Sequence, residues 1–243
     1  MREDIIAIIC PDIHGRGFWK VVAEEYDGSV PIIFLGDYID PYGQENITPK
    51  DAKDNFENLW SFKEKWGDKV IMLLGNHDMS YYDKAFRCCR FSIEISGWYN
   101  DILHKNWQEF KIAHEIEHNG QIFLFSHAGV HPEWLEQNGF EHNYNADYIN
   151  ELFKTQRMAF GDYSYYRGGG YWETGSPIWA DIREFDDFIN KKDKSLALPK
   201  KVKQIVGHTQ LTANMVDLGD ICCIDSRQAF VITKDNVIEP YNI

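Results

Sequence analysis

Short apolar runs that alternate with longer amphipathic stretches are the feature that most constrains the fold of this chain. Three such runs are continuously apolar, as in strands buried on both faces: Ile5–Cys10, residues 30–35 and residues 69–74. Residues 18–26 and 49–66 lie between them and repeat their apolar side chains at helical spacing, and Thr48 and Pro49 suit the N-cap and first position of the second helix. The β-α-β-α-β order predicts parallel strands, whose following loops share one edge of the sheet.

The pattern changes after about residue 110. Residues 111–118 and 121–126 flank Asn119-Gly120, which predicts a two-residue hairpin turn, and residues 145–160 have a helical pattern. Short strands are predicted towards the C-terminal side, at residues 202–206, 215–218, 221–225, 229–233 and 237–240. The basic run at residues 191–201 predicts a solvated loop. We expect one α/β domain over residues 1–243, with two sheets.

Composition excludes several classes of protein. The net charge is −13, which argues against non-specific nucleic-acid binding and means that a phosphate site needs local positive charge. No stretch approaches the roughly 18 apolar residues of a membrane span, so we expect no membrane partner. The five cysteines include two adjacent pairs and no Cys-x-x-Cys spacing, which favours reduced thiols in a cytoplasmic protein.

A histidine, aspartate or asparagine follows each of five predicted strands within a residue or two. The segments are Asp12-Ile-His14-Gly15, Gly36-Asp37-Tyr-Ile-Asp40, Gly75-Asn76-His77-Asp78, Ser126-His127-Ala-Gly129 and Gly207-His208-Thr209. Each alone has an ordinary explanation as a helix cap, an Asx turn or a core histidine. All five at strand ends favour a metal site instead.

Displacement at phosphorus commonly uses two divalent ions about 3.5–4 Å apart, with a carboxylate that bridges them. Asp12 and His14 can both project from one strand end, and Asp37 suits the bridge. The second ion would be completed by three further side chains, those of Asn76, His127 and His208. Carboxylate oxygens and imidazole nitrogens suit manganese, iron or zinc.

These segments, in this order, resemble the calcineurin-like metallophosphoesterases, and within them the phosphoprotein-phosphatase branch, which includes symmetrical diadenosine tetraphosphate hydrolases. The resemblance runs from Ile5 to about Asp225. It implies a four-layer α-β-β-α sandwich that binds two divalent metal ions. Manganese is the leading candidate, and iron and zinc are the alternatives. The implied ligands are Asp12, His14 and Asp37 for the first ion, and Asp37, Asn76, His127 and His208 for the second. It also implies that His77 is the general acid and that Asp40 orients it.

The sequence departs from the branch at Pro41, where the branch has a phosphate-binding arginine. Arg16, Arg167 and Arg183 are the candidate replacements, and Arg183 is favoured for substrate binding because its surroundings resemble a Trp-Ala-Asp segment of the branch. Gln210 stands where many phosphodiesterase relatives have a further histidine, which favours a phosphatase.

The leading hypothesis is a two-metal phosphoesterase that hydrolyses phosphate monoesters, with attack by a metal-bridging hydroxide. Its substrate would be a phosphorylated small molecule, a nucleotide or a phosphoprotein. Alternatives are a hydrolase of dinucleoside polyphosphates or nucleotides and, disfavoured by the complete ligand set, a catalytically silent metal-binding module. Residues 161–175, rich in glycine and tyrosine, are either a lid or wall over the metals or a mobile surface loop.

Overall fold

The chain folds as two units, each built on one β-sheet. A computed structural model describes residues 2–190 and 199–241. The first unit comprises the chain up to residue 111 together with the chain from residue 227, and the second unit is residues 112–226. Most of the predicted basic loop, residues 191–198, lies outside the described residues.

Within the described residues the strands are β1 (Ile5–Cys10), β2 (Ile32–Phe34), β3 (Val70–Leu73), β4 (Phe110–Lys111), β5 (Ala113–His118), β6 (Gln121–Ser126), β7 (Val202–Val206), β8 (Val216–Asp217), β9 (Ile221–Cys223), β10 (Phe230–Thr233) and β11 (Ile238–Pro240). Over the same part of the chain the α-helices are α1 (Trp19–Glu25), α2 (Pro49–Trp66), α3 (Asn76–Tyr82), α4 (Ile93–Lys105), α5 (Pro132–Gln137), α6 (Ala146–Thr155) and α7 (Ile182–Asn190).

The sheet of the first unit has the strand order β11-β10-β1-β2-β3-β4. β1, β2 and β3 are parallel neighbours, as the sequence predicts, and their side chains are buried almost throughout. β10 lies antiparallel to β1 on its other side. α2 begins as expected: the Thr48 hydroxyl accepts from the Asp51 N–H, the Asp51 carboxylate accepts from the Thr48 N–H, and Pro49 is the first helical residue.

The sheet of the second unit has the order β5-β6-β7-β9-β8. β5 and β6 form the predicted hairpin, and its two turn residues, Asn119 and Gly120, have φ angles of 50° and 76°. Both angles lie in the left-handed region that asparagine and glycine tolerate best, which is why this pair sets the register. β7 pairs in parallel with both β6 and β9, so the ends of β6 and β7 lie side by side.

The structure confirms the α/β class, because each unit combines one sheet with helices. Differences lie at element ends: the helix predicted over residues 145–160 ends at Thr155, where a 3₁₀ turn over Arg157–Gly161 follows. The single-domain assignment for residues 1–243 stays a prediction. In residues 2–190 and 199–241, no helix has both the length and the apolar character that a membrane crossing requires.

Candidate metal centre and active site

The loops after β1, β2 and β3 bring the predicted polar side chains of the first unit together. Asp12, His14, Asp37, Asp40, Asn76 and His77 are each at most 4% exposed. The His14 Nε2 atom lies 3.5 Å from Asp37 Oδ2 and 3.9 Å from Asp12 Oδ2. The three residues predicted to hold the first ion therefore converge at one edge of the sheet.

Two glycines let the loops after β2 and β3 approach each other. Gly36 has a φ of +106°, and a Cβ atom there would lie 2.4 Å from the Gly75 nitrogen. A Cβ atom on Gly75 would lie 2.1 Å from Asp37 Oδ1. Because both distances are far below contact distance, the position of the predicted bridging carboxylate depends on glycine at both sites.

Asp78 fixes these two loops, a role that the sequence analysis did not assign. Its Oδ2 atom accepts the backbone N–H groups of Asp37 (2.7 Å) and Gly75 (2.8 Å). Its Oδ1 atom accepts the Tyr38 N–H (3.1 Å) and the Tyr99 hydroxyl (2.8 Å). The buried carboxylate thus ties the strand end that carries Asp37 to the start of α3. The sequence signal for this role is the position of Asp78 as the third residue of α3.

His14 is prepared to act as a neutral ligand. Its Nδ1 atom lies 2.9 Å from the Ile39 carbonyl oxygen, so Nδ1–H donates there and Nε2 keeps its lone pair. Burial lowers the pKa of His14 well below the ordinary value and outweighs the opposing charge of Asp37. Nε2 is also the atom that faces the Asp12 and Asp37 carboxylates.

His77 has the opposite electrostatic setting. Burial alone would lower the pKa of His77, but the charge of Asp37 and the hydrogen bond to Asp40 together raise it well above the ordinary value. The bond joins His77 Nδ1 and Asp40 Oδ2 at 2.8 Å, and the other Asp40 oxygen accepts the Tyr81 hydroxyl at 2.5 Å. Nε2 therefore faces away from the carboxylate that holds Nδ1.

Arg90 is the main residue that the sequence analysis missed. Its Nη2 atom lies 3.0 Å from His77 Nε2 and 3.4 Å from His14 Nε2, and its Nε atom donates to the Asp40 carbonyl oxygen at 3.1 Å. The guanidinium stacks on Tyr42, 3.8 Å from the ring centroid. Tyr42 directly follows Pro41, so the segment that lacks the branch's arginine supports a guanidinium supplied from elsewhere.

The other predicted arginines are engaged in ion pairs. Arg16 is buried, pairs with Glu45 at 3.0 Å and donates to the Asp12 carbonyl oxygen. Arg183 and Arg167 both pair with Asp181, at 2.8 Å and 3.1 Å. The substrate-binding role of Arg183 stays a prediction.

In the second unit, His127 and His208 follow β6 and β7 and form a pair. His127 Nε2 lies 3.0 Å from His208 Nδ1, and the Gly207 N–H donates to the His127 carbonyl oxygen at 2.8 Å. Trp179 packs edge-on against the His208 ring at 5.8 Å. The parallel pairing of the two strands explains why side chains 81 residues apart in sequence meet.

Residues 161–175 belong to the second unit and are held near His208. Arg167 donates to the His208 carbonyl oxygen at 3.3 Å and to the Thr209 hydroxyl at 2.8 Å. Tyr171 is fully exposed and Trp172 is 44% exposed. The rings of Tyr171 and Trp172 therefore stand at the surface, and the closure of this segment as a lid stays a prediction.

Backbone strain concentrates at the predicted site residues. His14, Asp37, Asp40 and His208 have positive φ angles of 43°, 53°, 62° and 63°, and Arg90 has 61°. Such angles are uncommon for residues other than glycine and persist where surrounding structure enforces them. Four of these five residues, all except Arg90, were predicted from their chemistry, and this coincidence supports a functional site.

The donor sets suit divalent metal ions. In the first unit, His14 and Asp37 offer ligand atoms within 4.8 Å of one another, and Asp12 adds a further buried carboxylate. In the second unit, the separation of 3.0 Å between His127 and His208 nitrogens is about that of two nitrogens held by one ion at about 2.0–2.1 Å. Buried carboxylates and neutral imidazoles are ligands that manganese, iron and zinc all accept.

The sequence and the fold of the chain are similar to those of known proteins. The sequence profile "Calcineurin-like phosphoesterase" matches residues 7–223. A solved protein serine/threonine phosphatase from Saccharomyces cerevisiae, with similarity to human phosphatase PP5, aligns over 99% of this chain and 80% of its own, with a TM-score of 0.58 and 12% identity. The phosphatase domain of the Legionella effector WipB aligns over 62% of this chain and 63% of its own, with a TM-score of 0.36 and 15% identity.

At 12% identity the yeast structure establishes the fold, which is that of a metallophosphoesterase. The profile match covers most of the sequence and includes every predicted metal ligand. The chain therefore belongs to the calcineurin-like phosphoesterase family, whose members are metal-dependent hydrolases of phosphoric ester bonds.

Proposed function

We propose that this protein is a phosphatase that hydrolyses phosphate monoesters with two divalent metal ions, of which manganese is the leading candidate. The observation that carries the proposal is the guanidinium of Arg90 beside His77 Nε2, while Asp40 holds the other ring nitrogen. A monoester presents a terminal phosphate dianion and an oxygen that must be protonated as it leaves. A guanidinium next to a buried histidine that a carboxylate orients answers both needs.

The proposed ligands are those of the sequence analysis. Asp12, His14 and Asp37 would hold one ion, and Asp37, Asn76, His127 and His208 would hold the other. Bound ions of this kind polarise phosphoryl oxygens and lower the pKa of a bound water. Asp78 and the two glycines keep the Asp37 carboxylate in position for them.

His77 would donate its Nε2 proton to the leaving oxygen. Asp40 keeps the ring oriented and stabilises its charge, and Tyr81 in turn holds Asp40. Arg90 would release His77 Nε2 and donate two parallel N–H groups to phosphoryl oxygens. Its stacking on Tyr42 would keep the guanidinium at the site during this change.

Hydrolysis of dinucleoside polyphosphates is the second candidate, favoured by the exposed Tyr171 and Trp172, on which a base can stack. The acidic surface nearby argues against a polyphosphate substrate. A cavity of about 480 Å³ in the second unit has four carboxylates in its lining, from Glu133, Glu173, Glu184 and Asp187. The charges of Glu133, Glu173 and Asp187 would repel a polyphosphate chain.

A substrate comparison tests the proposal. Manganese-reconstituted protein should cleave p-nitrophenyl phosphate much faster than bis-p-nitrophenyl phosphate, and faster than diadenosine tetraphosphate. Comparable diester turnover would remove the phosphatase assignment. A marked preference for diadenosine tetraphosphate would establish the second candidate instead.

Arg90 has a matched control three residues away. Arg90→Ala should lower kcat/KM for a monoester about 10- to 100-fold, because a charged hydrogen-bonding group contributes about 1.5–3 kcal/mol. Arg87→Ala, which changes an exposed arginine of the same loop, should have little effect. Equal losses in the two variants would show that Arg90 does not bind phosphate.

The role of His77 is tested by leaving-group dependence. His77→Asn should lower activity about 10²- to 10⁴-fold while manganese stays bound. The loss should be largest for alkyl phosphates, whose leaving alkoxide needs a proton, and smaller for aryl phosphates. A uniform loss over all esters, or loss of a metal ion, would contradict the assignment of His77 as general acid.

A further inference from the structure

Two thiols and an imidazole converge beside the start of α3. His77, Cys88 and Cys89 offer ligand atoms that all lie within 4.8 Å of one another. Both thiols lie close to the His77 ring, and the Asn76 amide donates to Cys88 Sγ at 3.0 Å. The cysteines are reduced, and neither has a role in the proposed hydrolysis.

We propose that His77, Cys88 and Cys89 form a regulatory site for a thiophilic divalent cation such as zinc, separate from the two catalytic ions. Tetrahedral zinc, with bonds of about 2.0–2.1 Å to nitrogen and 2.3 Å to sulfur, holds its ligand atoms about 3.5–3.8 Å apart. Only a small contraction of the cluster is needed. The site accounts for an adjacent cysteine pair that the catalytic mechanism leaves unused.

The surroundings of His77 already have the form of a metal-bound histidine. Asp40 accepts from Nδ1 at 2.8 Å, which directs Nε2 towards the opposite side of the ring. A carboxylate behind the imidazole fixes the tautomer and strengthens the ring as a ligand, an arrangement typical of zinc sites. Tyr81 holds that carboxylate in turn.

Ligand softness and access separate this site from the catalytic centre. Thiolate sulfur favours zinc or cadmium, whereas carboxylate, amide and imidazole donors accept manganese. Cys89 is exposed, Cys88 is half-buried and His77 is buried, so the cluster opens to solvent on one side. That opening provides an entry path and room for water as the fourth ligand.

Occupation of the site would oppose catalysis in two ways, and this consequence rests on the proposed function. The cation would take the Nε2 lone pair, so that His77 has no proton to donate. It would also displace the Arg90 guanidinium, which lies 3.0 Å from Nε2 and belongs to the residue after Cys89. Zinc and substrate phosphate should therefore exclude each other.

Cobalt absorption tests the site without any assay of hydrolysis. Co²⁺ added to the manganese-loaded protein, with a phosphine reductant present, should produce thiolate-to-metal charge-transfer absorption in the near ultraviolet. Cys88→Ser/Cys89→Ser should abolish the band, and exposed Cys89→Ser alone should weaken it. Cys222→Ala, which removes a thiol of the second unit, should keep it. Absence of the band in the wild type, or its persistence in the double variant, would overturn the proposal.

Zinc inhibition tests the consequence. At fixed manganese, the zinc concentration that halves activity should rise at least tenfold in Cys89→Ser, each variant being compared with its own zinc-free rate. An unchanged midpoint would show that zinc acts elsewhere. If the sulfur band forms but monoesters are not hydrolysed, the proposed function fails and the metal site stands. If active protein lacks the band, the metal site alone fails.

Discussion

Asp78→Asn tests whether one buried carboxylate holds the active-site loops. The asparagine amide would turn its nitrogen to the Oδ1 side, because the Tyr99 hydroxyl there can reverse and accept. The Tyr38 N–H on that side cannot reverse, so it loses its acceptor. Burial, and then the charge of Asp37, raise the pKa of Asp78, so the lost charge itself should cost little. One unsatisfied buried donor should cost about 1–3 kcal/mol.

Amide hydrogen exchange measures this loss where it arises. The amides of the segment around Tyr38 and Gly75 should exchange about 5- to 150-fold faster in Asp78→Asn, the equivalent of about 1–3 kcal/mol. The measurement is made with chelator in both proteins, so that metal binding does not contribute. Manganese affinity, measured separately, should fall because Asp37 lies on the loosened segment.

Asp51→Asn is the matched control. It makes the same chemical change at an exposed carboxylate that also accepts a backbone N–H, at the start of α2. Water can replace the lost acceptor there, so its cost should be less than about 1 kcal/mol. If the two variants are equally mild, the Asp78 carboxylate does not hold these loops.

Three further predictions concern metal content, loop contact and pH. Elemental analysis should find two ions per wild-type chain after manganese reconstitution. Asp37→Asn should lose tight binding of both ions. A content of one ion per wild-type chain would contradict the bridged site. Gly75→Ala should also weaken manganese binding, measured by titration, because its Cβ would meet Asp37 Oδ1. Burial raises the pKa of Glu184 from 4.5 to about 7, so the folded state retains a proton that the unfolded state releases. The free energy of unfolding should fall by up to about 3 kcal/mol as pH rises from 4.5 to 7 in urea titrations, and the neutral Glu184→Gln should lack this fall.

Local sequence signals predicted the elements that carry the first half of the site. β1, β2 and β3 are continuously apolar because both faces are buried, and α2 has its cap and proline in sequence. A polar residue after each parallel strand is then brought to a common edge by topology alone. This is why Asp12, His14 and Asp37 could be chosen before their distances were known.

The contributions of Arg90, Cys88 and Cys89 could not be predicted in the same way. Their loop lies between α3 and α4, and the contact between Arg90 and Tyr42 depends on how that loop folds back. No spacing rule relates the arginine to Pro41. The antiparallel pairing of β10 with β1 was also missed, because strands so distant in sequence carry no local signal of partnership.

That pairing has a consequence for how the protein is made. One edge of β1 is completed by β10, yet the whole second unit is synthesised between β4 and β10. At about 5–20 residues per second, roughly ten seconds separate the emergence of these strands from a ribosome. During that time the nascent first unit exposes an unpaired β1 edge, which other chains can pair with. The second unit is a continuous segment and can fold first. The sheet of the first unit, whose strand ends carry the predicted site, is completed only after residues 230–233 have been translated.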